Sequence, residues 1–476
     1  MINKYLKFHT YIKTLLENQS ITNVEYLQNI FSKKDYINLL RPVLETIKEN
    51  PYANLTTLRL KLFLKSGLKE LTEDFVYKTK ITPGILMDFG TIKNRDTILC
   101  GNMEEIPNQK PIEQDTIFDL ASTSKLFTSI SILKLLEAGL IDLYSPVTNY
   151  VKEFTKLGNI TIYDLLKFRV NICTDKRVDS AKSPEEAEQI LFTVHKNDNP
   201  NIYNAYTDMG AMVLRYVVEK VSNMSFNDFV KEIILKPLDM NDTYLHVPQE
   251  KLSRVANENY SSIIKKDGSD ITKTDNIPGT PHDDKARVIG STQNIAPGHA
   301  GYFSTKDDMI KLGTALANFT ILNKYSVYSI SDNATGQILE DGSYSRFYGS
   351  LVYLKQPDPK FLRVYPPLSG KSFMSPGFAG TTLVVDPLNK IVLFTGANRL
   401  HNRIYRIHPD QVKNIHTYSN GCQSFTLKNG EEKIISAPYT GKKEIIVKCA
   451  LDLTLQYQLL EILYPSEKEL KLVREL

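Results

Sequence analysis

The period of the apolar positions changes several times along the chain. Val24–Ile47 and Leu55–Leu71 carry apolar residues at helical spacing, which predicts a helical N-terminal extension over residues 1–70. Ile81–Asp88 and Asp96–Asn102 then read as two short strands with a polar connector, an opening hairpin. In TIFDLASTSKLFTSISILKLLEAG the residues Leu126, Phe127, Ile130, Ile132, Leu133, Leu135 and Leu136 cover nearly every side of a helix, so that helix belongs inside a core, with Gly139 as its stop. Ile160–Lys167 predicts a short helix, and Gly210, Leu214, Val217, Val218 and Val221 form one helical stripe. The polar, Gly- and Pro-containing stretch Lys251–Ala300 reads as loops over one face. Leu383–Asp386 and Ile391–Thr395 flank the turn Pro387-Leu388-Asn389 and predict a second hairpin. His401–Lys442 is turn-rich, and Glu444–Leu463 is an amphipathic helix. This order suits an α+β fold, an antiparallel sheet flanked by helices plus a mostly helical region.

Composition narrows the class. The chain has 476 residues, 42% apolar and 24% charged, which is ordinary globular usage and excludes wholesale disorder. A net charge of +4 is small for this length and gives no reason for a nucleic-acid partner. No run of about 18 apolar residues is present, so no membrane span is expected. The opening MINKYLKFHTYIKTLLENQS has no continuous apolar stretch of the kind a secretory signal needs, which predicts a cytoplasmic protein. Cys100, Cys173, Cys422 and Cys449 show no metal-ligand spacing and read as thiols in a reducing compartment. Nothing in the sequence specifies an oligomeric state.

Three segments carry chemistry. In Ser122-Thr123-Ser124-Lys125, a serine and a lysine three residues apart share one face of the apolar helix. Burial lowers the proton affinity of a lysine, so the expectation is a neutral amine that takes the serine proton, with helix N-terminal amides near the developing negative charge. Alone, such a motif reads more simply as a capping serine and a solvated lysine; the apolar surroundings argue for the catalytic reading. Tyr206-Thr207-Asp208 precedes the second helix and offers a phenol for proton relay, against the simpler reading of a packed tyrosine with Asp208 as helix cap. Ser375-Pro376-Gly377-Phe378-Ala379-Gly380-Thr381 leads into the second hairpin, where small residues let a strand approach a substrate.

Taken together and in this order, these segments resemble the serine β-lactamase and penicillin-binding-protein superfamily, and within it the branch of class C β-lactamases, D-alanyl-D-alanine carboxypeptidases and related esterases. YTDMGAMVLRYVVEKVSNMSFNDFVKEIILKPLDMNDTYL, GHAGYFSTKDDMIKL and SPGFAGTTLVVDPLNKIVLFTGANRLHN are similar to three further blocks of that branch, and the resemblance spans about residues 75–403. It implies a β-lactamase/transpeptidase-like domain over 71–476, with 404–443 as an insertion and 444–463 as a C-terminal helix. It further implies Ser122 as acylated nucleophile, Lys125 as its base, Tyr206 as shared acid and base, and the amides of Ser122 and Phe378 as oxyanion hole. Asp208, Ser375 and Gly377 would meet the substrate. No metal or organic cofactor is implied, and the partner is a small-molecule substrate. Three positions depart from the branch: Ser375 stands where lysine or histidine is usual, Asp208 where asparagine is usual, and Phe168-Arg169-Val170-Asn171-Ile172 where His-Thr-Ser-Gly-Leu is common. Without a cation at 375, the reading favours small esters or activated amides over penicillins and D-Ala-D-Ala termini. Peptidase or β-lactamase action, acyl transfer, and a non-catalytic binding role are the alternatives. His282 and His299 are read as supporting residues, and His246, His401, His408 and His416 as packed or solvated.

Overall fold

The computed structural model describes residues 65–197, 206–290, 295–356, 364–365 and 367–436, together with 447, 450–451 and 453–455 in a C-terminal helix. Of the expected N-terminal extension, only residues 65–70, which are helical, fall among them; 1–64 and most of 444–463 lie outside the described residues.

Seven strands form the central antiparallel sheet: β1 (Gly84–Thr91), β2 (Arg95–Glu104), β3 (Lys110–Pro111), β4 (Tyr353–Leu354), β5 (Phe373–Pro376), β6 (Thr382–Asp386) and β7 (Ile391–Ala397), in the spatial order β4-β5-β6-β7-β1-β2-β3. Both predicted hairpins are present as β1–β2 and β6–β7, and β7 also pairs with β1, so the two ends of the domain close one sheet. Every residue of β6 and β7 is buried, which explains their unbroken apolar runs.

Three helices position the site. α1 (Lys125–Glu137) is buried on nearly all sides, as its composition predicts, and Gly139 follows its last turn at φ 69°. It packs on α2 (Asp208–Ser222) in the helical region, while α3 (Lys306–Asn318) covers β1, β6 and β7. Phe127, Ile130 and Leu133 of α1 share one core with Leu86 and Phe394 of the sheet and with Leu214 and Val217 of α2. Fully burying each such side chain contributes about 1.5–3 kcal/mol.

Lys251–Ala300 differs from the expected loops. It contains a hairpin, Ser261–Ile264 with Asp270–Lys273, and a helix, Asp284–Ile289. Ser261–Ile264 also pairs in parallel with Ile404–Ile407. The strands are four residues each, and Ile264 is buried against Ile404, Ile407, Phe425, Leu427 and Ile435, so the partners that fix them are remote in sequence. Residues 415–434 add a three-stranded ribbon beside this small core. No helix among the described residues is long and apolar enough to cross a membrane.

Candidate active site

Ser122 lies in a single 3-10 turn, Ala121–Ser124, that leads into α1. Ala121 before it has φ 44°, a left-handed conformation that costs a residue with a Cβ about 1–2 kcal/mol. The Asp119 carboxylate offsets that strain: Oδ1 accepts the Ala121 amide at 2.8 Å, and Oδ2 accepts the His282 amide at 2.9 Å. Asp119 is thus tied to both sides of the site. Burial pushes its carboxyl up to about 6, against the lowering effect of those two amides.

Lys125 Nζ lies 2.8 Å from Ser122 Oγ, one helical turn away, as the spacing predicts. Its charge state does not follow the expectation. Nζ also donates to Asp208 Oδ1 at 2.7 Å and to the His299 carbonyl at 3.4 Å. The Tyr206 side chain is a further hydrogen-bond partner, so the acceptors around Nζ are at least as many as the three N–H donors of an ammonium. Burial does work against the charge, but the Asp208 carboxylate and the Tyr206 hydroxyl outweigh it and raise the proton affinity above that of an ordinary lysine. Lys125 is therefore a buried ammonium, and Ser122 Oγ accepts its hydrogen bond. The burial term was legible in the sequence; the compensating carboxylate enters from a segment 83 residues away.

Thr207, not Asp208, caps α2, accepting the Met209 amide at 3.2 Å. Asp208 is left to bridge two cations. Its Oδ2 lies 3.1 Å from Lys285 Nζ, which also meets Asp283 Oδ2 at 3.1 Å, and Asp283 Oδ1 meets His299 Nε2 at 2.9 Å. Burial opposes both carboxylates, yet the neighbouring cations hold each well below the usual carboxylate range. Asp208, Asp283 and His299 bring three ligand-type atoms within 4.8 Å of one another. Lys125 and Lys285 already neutralise that space, so the trio is better described as an ion-pair chain than as a metal centre.

The third segment joins the Ala121–Ser124 turn through hydroxyls. Thr123 Oγ1 donates to the Ser375 carbonyl at 3.1 Å, and Thr381 Oγ1 donates to the Leu120 carbonyl at 2.9 Å. Gly377 sits between them in the turn that its amide closes on the Thr381 carbonyl at 2.8 Å. A Cβ at Gly377 would lie 2.1 Å from Thr381 Oγ1 and 2.4 Å from the Leu120 carbonyl, so only glycine fits. Among the described residues, neither the Ser122 nor the Phe378 amide donates a hydrogen bond. Ser375 is 2% exposed on β5, while its strand neighbours Met374 and Pro376 line the cavity. It provides no cation there.

Tyr206 is held among aromatic rings, with centroids 4.9 Å from Phe168, 5.5 Å from Tyr353 and 6.0 Å from Tyr348. Phe168, at φ 52°, is the first residue of the departing Phe-Arg-Val-Asn-Ile segment, and it buries its ring beneath Tyr206. Ser122, Tyr206, Asp208, Gly377 and Phe378 open on one cavity of about 580 Å³, the size of a small-ligand site. Arg177, Lys273, Lys285, Arg399 and Arg406 also line it, with Asp179, Asp283 and Asp284 among them. His282 lines it too; its Nε2 lies 3.0 Å from Ser261 Oγ, and burial, with Lys273 and Arg287, lowers its imidazole to about 3, so it is neutral at physiological pH. Sequence reasoning missed Lys285, Tyr348, Tyr353 and Arg399. None belongs to a motif whose spacing carries a mechanism; the only available signal was that Lys285 lies close after His282-Asp283.

The family profile described as Beta-lactamase matches residues 87–416, more than half of the chain. The N-acetylmuramyl-L-alanine amidase of Bacillus subtilis (strain 168) is 25% identical over 327 residues, 63% of this chain and 71% of the relative. A putative D-alanyl-D-alanine carboxypeptidase of Escherichia coli (strain K12) is 24% identical over 338 residues, 64% of this chain and 73% of the relative. The crystal structure of D-amino acid amidase from Ochrobactrum anthropi SV3 superposes with a TM-score of 0.57 at 17% identity, covering 83% of this chain and 99% of that one, a likeness of fold. With its antiparallel sheet, buried helix α1 and matched profile, the chain belongs to the β-lactamase family, within the superfamily of serine hydrolases and penicillin-binding proteins.

Proposed function

We propose that this protein is a serine amidohydrolase that forms an acyl-enzyme on Ser122 and cleaves the amide bond of a small, peptide-like acyl substrate. The observation that carries the reading is the 2.8 Å contact between the Oγ of Ser122, which lines the cavity, and a fully buried Lys125. The amidase and carboxypeptidase relatives favour amides over the esters expected from the sequence. Ester cleavage is the second reading, favoured by Ser375 in place of a cation.

In acylation, Ser122 Oγ forms a bond to the substrate carbonyl carbon and the C–N bond breaks. The serine proton goes to the Lys125–Tyr206 pair, which enters the step one proton short and holds the proton between Nζ and Oη. The same proton passes on to the leaving amine. The amides of Ser122 and Phe378 hold the oxyanion. Water then takes the place of the amine: its oxygen bonds to the acyl carbon, the Oγ–C bond breaks, and its proton returns through Tyr206 to Oγ.

An acyl-D-alanyl-D-alanine peptide, a D-amino-acid amide and a nitrophenyl ester of the same acyl group separate the readings. Turnover of an amide with kcat/KM at least comparable to that of the ester is expected. Ester turnover with no amide cleavage would transfer the assignment to an esterase.

A second expectation concerns pH. Asp208 favours the protonated pair, so Asp208→Asn, which keeps a hydrogen-bond acceptor but removes the charge, shifts the rising limb of kcat/KM against pH to lower values by roughly one unit. If Asp208 instead serves only to hold substrate, KM rises and the limb stays in place.

A further inference from the structure

Asp208 is a carboxylate shared between two ammonium groups, and only one of them, Lys125, touches the nucleophile. The second, Lys285, is contributed by the short helix Asp284–Ile289, in a part of the chain remote from all three sequence motifs. Its side chain is 20% exposed at the cavity wall, and it forms ion pairs with two carboxylates of this one cluster, Asp208 and Asp283, at 3.1 Å each. Asp283 is fixed in turn by His299 Nε2 at 2.9 Å and, through Oδ1, caps the same short helix by accepting the Ala286 amide at 2.9 Å. His299 closes the circuit, because its carbonyl accepts from Lys125 Nζ. The chain Lys125–Asp208–Lys285–Asp283–His299 therefore begins and ends at the catalytic amine.

We propose that Lys285 is a positioning residue for acylation, sharing the Asp208 carboxylate with Lys125 so that the Lys125–Tyr206 pair can give up a proton. This rests on the acyl-enzyme reading above and adds to it a residue that makes no bond to the reacting atoms. The physical basis is the sign of the neighbouring charge. An active form with one proton fewer on the pair is disfavoured by a nearby anion and favoured by a nearby cation. Asp208 alone, in a half-buried site, would bind the Lys125 ammonium in a closed ion pair. Lys285 draws on the other oxygen of the same carboxylate and adds a positive charge next to the pair. The groups that face Lys285 are Asp208, Asp283 and, at longer range, Asp179, itself paired with Arg177. Those that face Lys125 are Asp208, Tyr206 and the His299 carbonyl. Besides Lys125, the groups that offset Asp208 are His299 and Lys285, and of these two Lys285 is the one in direct contact with the carboxylate, at 3.1 Å.

The test is the rate of Ser122 labelling by a fluorophosphonate, followed by intact mass across pH, for the wild type, Lys285→Gln and Lys285→Arg. In that reaction the Oγ–P bond forms, fluoride leaves and the serine proton goes to the pair, so the rate reports the pair's ionisation without a natural substrate. Lys285→Gln is expected to move the rising limb up by about one pH unit, which is about tenfold slower labelling below the limb, with the alkaline plateau regained. Lys285→Arg is expected to keep the wild-type limb. A Lys285→Gln profile that superimposes on the wild type, or one lowered equally at every pH, overturns the proposal; the second result would mark a purely structural role. Wild-type protein that is not labelled on Ser122 at any pH instead overturns the acyl-enzyme reading itself, and the assignment of Lys285 with it.

Discussion

Ser122→Ala is expected to abolish turnover, with kcat/KM falling on the order of 10⁴-fold or more while the fold is kept. The loss is this large because neither threonine hydroxyl beside the turn can replace that of Ser122. Thr123 Oγ1 is engaged with the Ser375 carbonyl, and Thr381 Oγ1 with the Leu120 carbonyl. Removing Oγ also leaves Lys125 with Asp208, Tyr206 and the His299 carbonyl, so its charge stays compensated. The variant should therefore melt close to the wild type, and steady-state kinetics with a thermal scan separate the two effects. Residual activity within tenfold of the wild type would move the nucleophile elsewhere in the cavity.

Gly377→Ala is expected to produce the next largest effect, a loss of about 10²–10³ in kcat with a smaller change in KM. The added methyl has no room at 2.1 Å from Thr381 Oγ1 and 2.4 Å from the Leu120 carbonyl. The β5–β6 turn must back away from the nucleophile turn, and the Phe378 amide moves with it. Donors that stabilise an oxyanion act through position, so a displacement of less than an ångström is enough to lose most of their effect. The same crowding costs about 1–3 kcal/mol of stability, as overpacking does elsewhere. Chemical denaturation together with kcat and KM reads both. A Gly377→Ala protein with wild-type kcat would show that the Phe378 amide is not an oxyanion donor.

What the sequence revealed and what it hid follow from the range of the interactions. Ser122 and Lys125 share a helical turn, so their contact could be read from spacing alone. The β1–β2 and β6–β7 hairpins were legible because each is closed by a short turn between apolar runs. Lys285 and Tyr353 reach the cavity, and Tyr348 packs against Tyr206, from segments 79 or more residues from Tyr206. No local pattern announces them. The charge of Lys125 was misjudged for a related reason: burial is visible in the helix's apolar surroundings, whereas the ion pair that reverses its effect is a tertiary contact. Ser262 and Ile264 were hidden in a polar stretch because their strand is held by residues of the 404–435 region, about 140 positions further on.

The phosphonylated residue itself gives the most direct test. After reaction with a fluorophosphonate, peptide mapping by tandem mass spectrometry should place a single adduct on Ser122, and the same treatment of Lys125→Met should leave that serine almost unmodified. An adduct on any other residue, or undiminished modification of Ser122 without the Lys125 amine, would contradict the account.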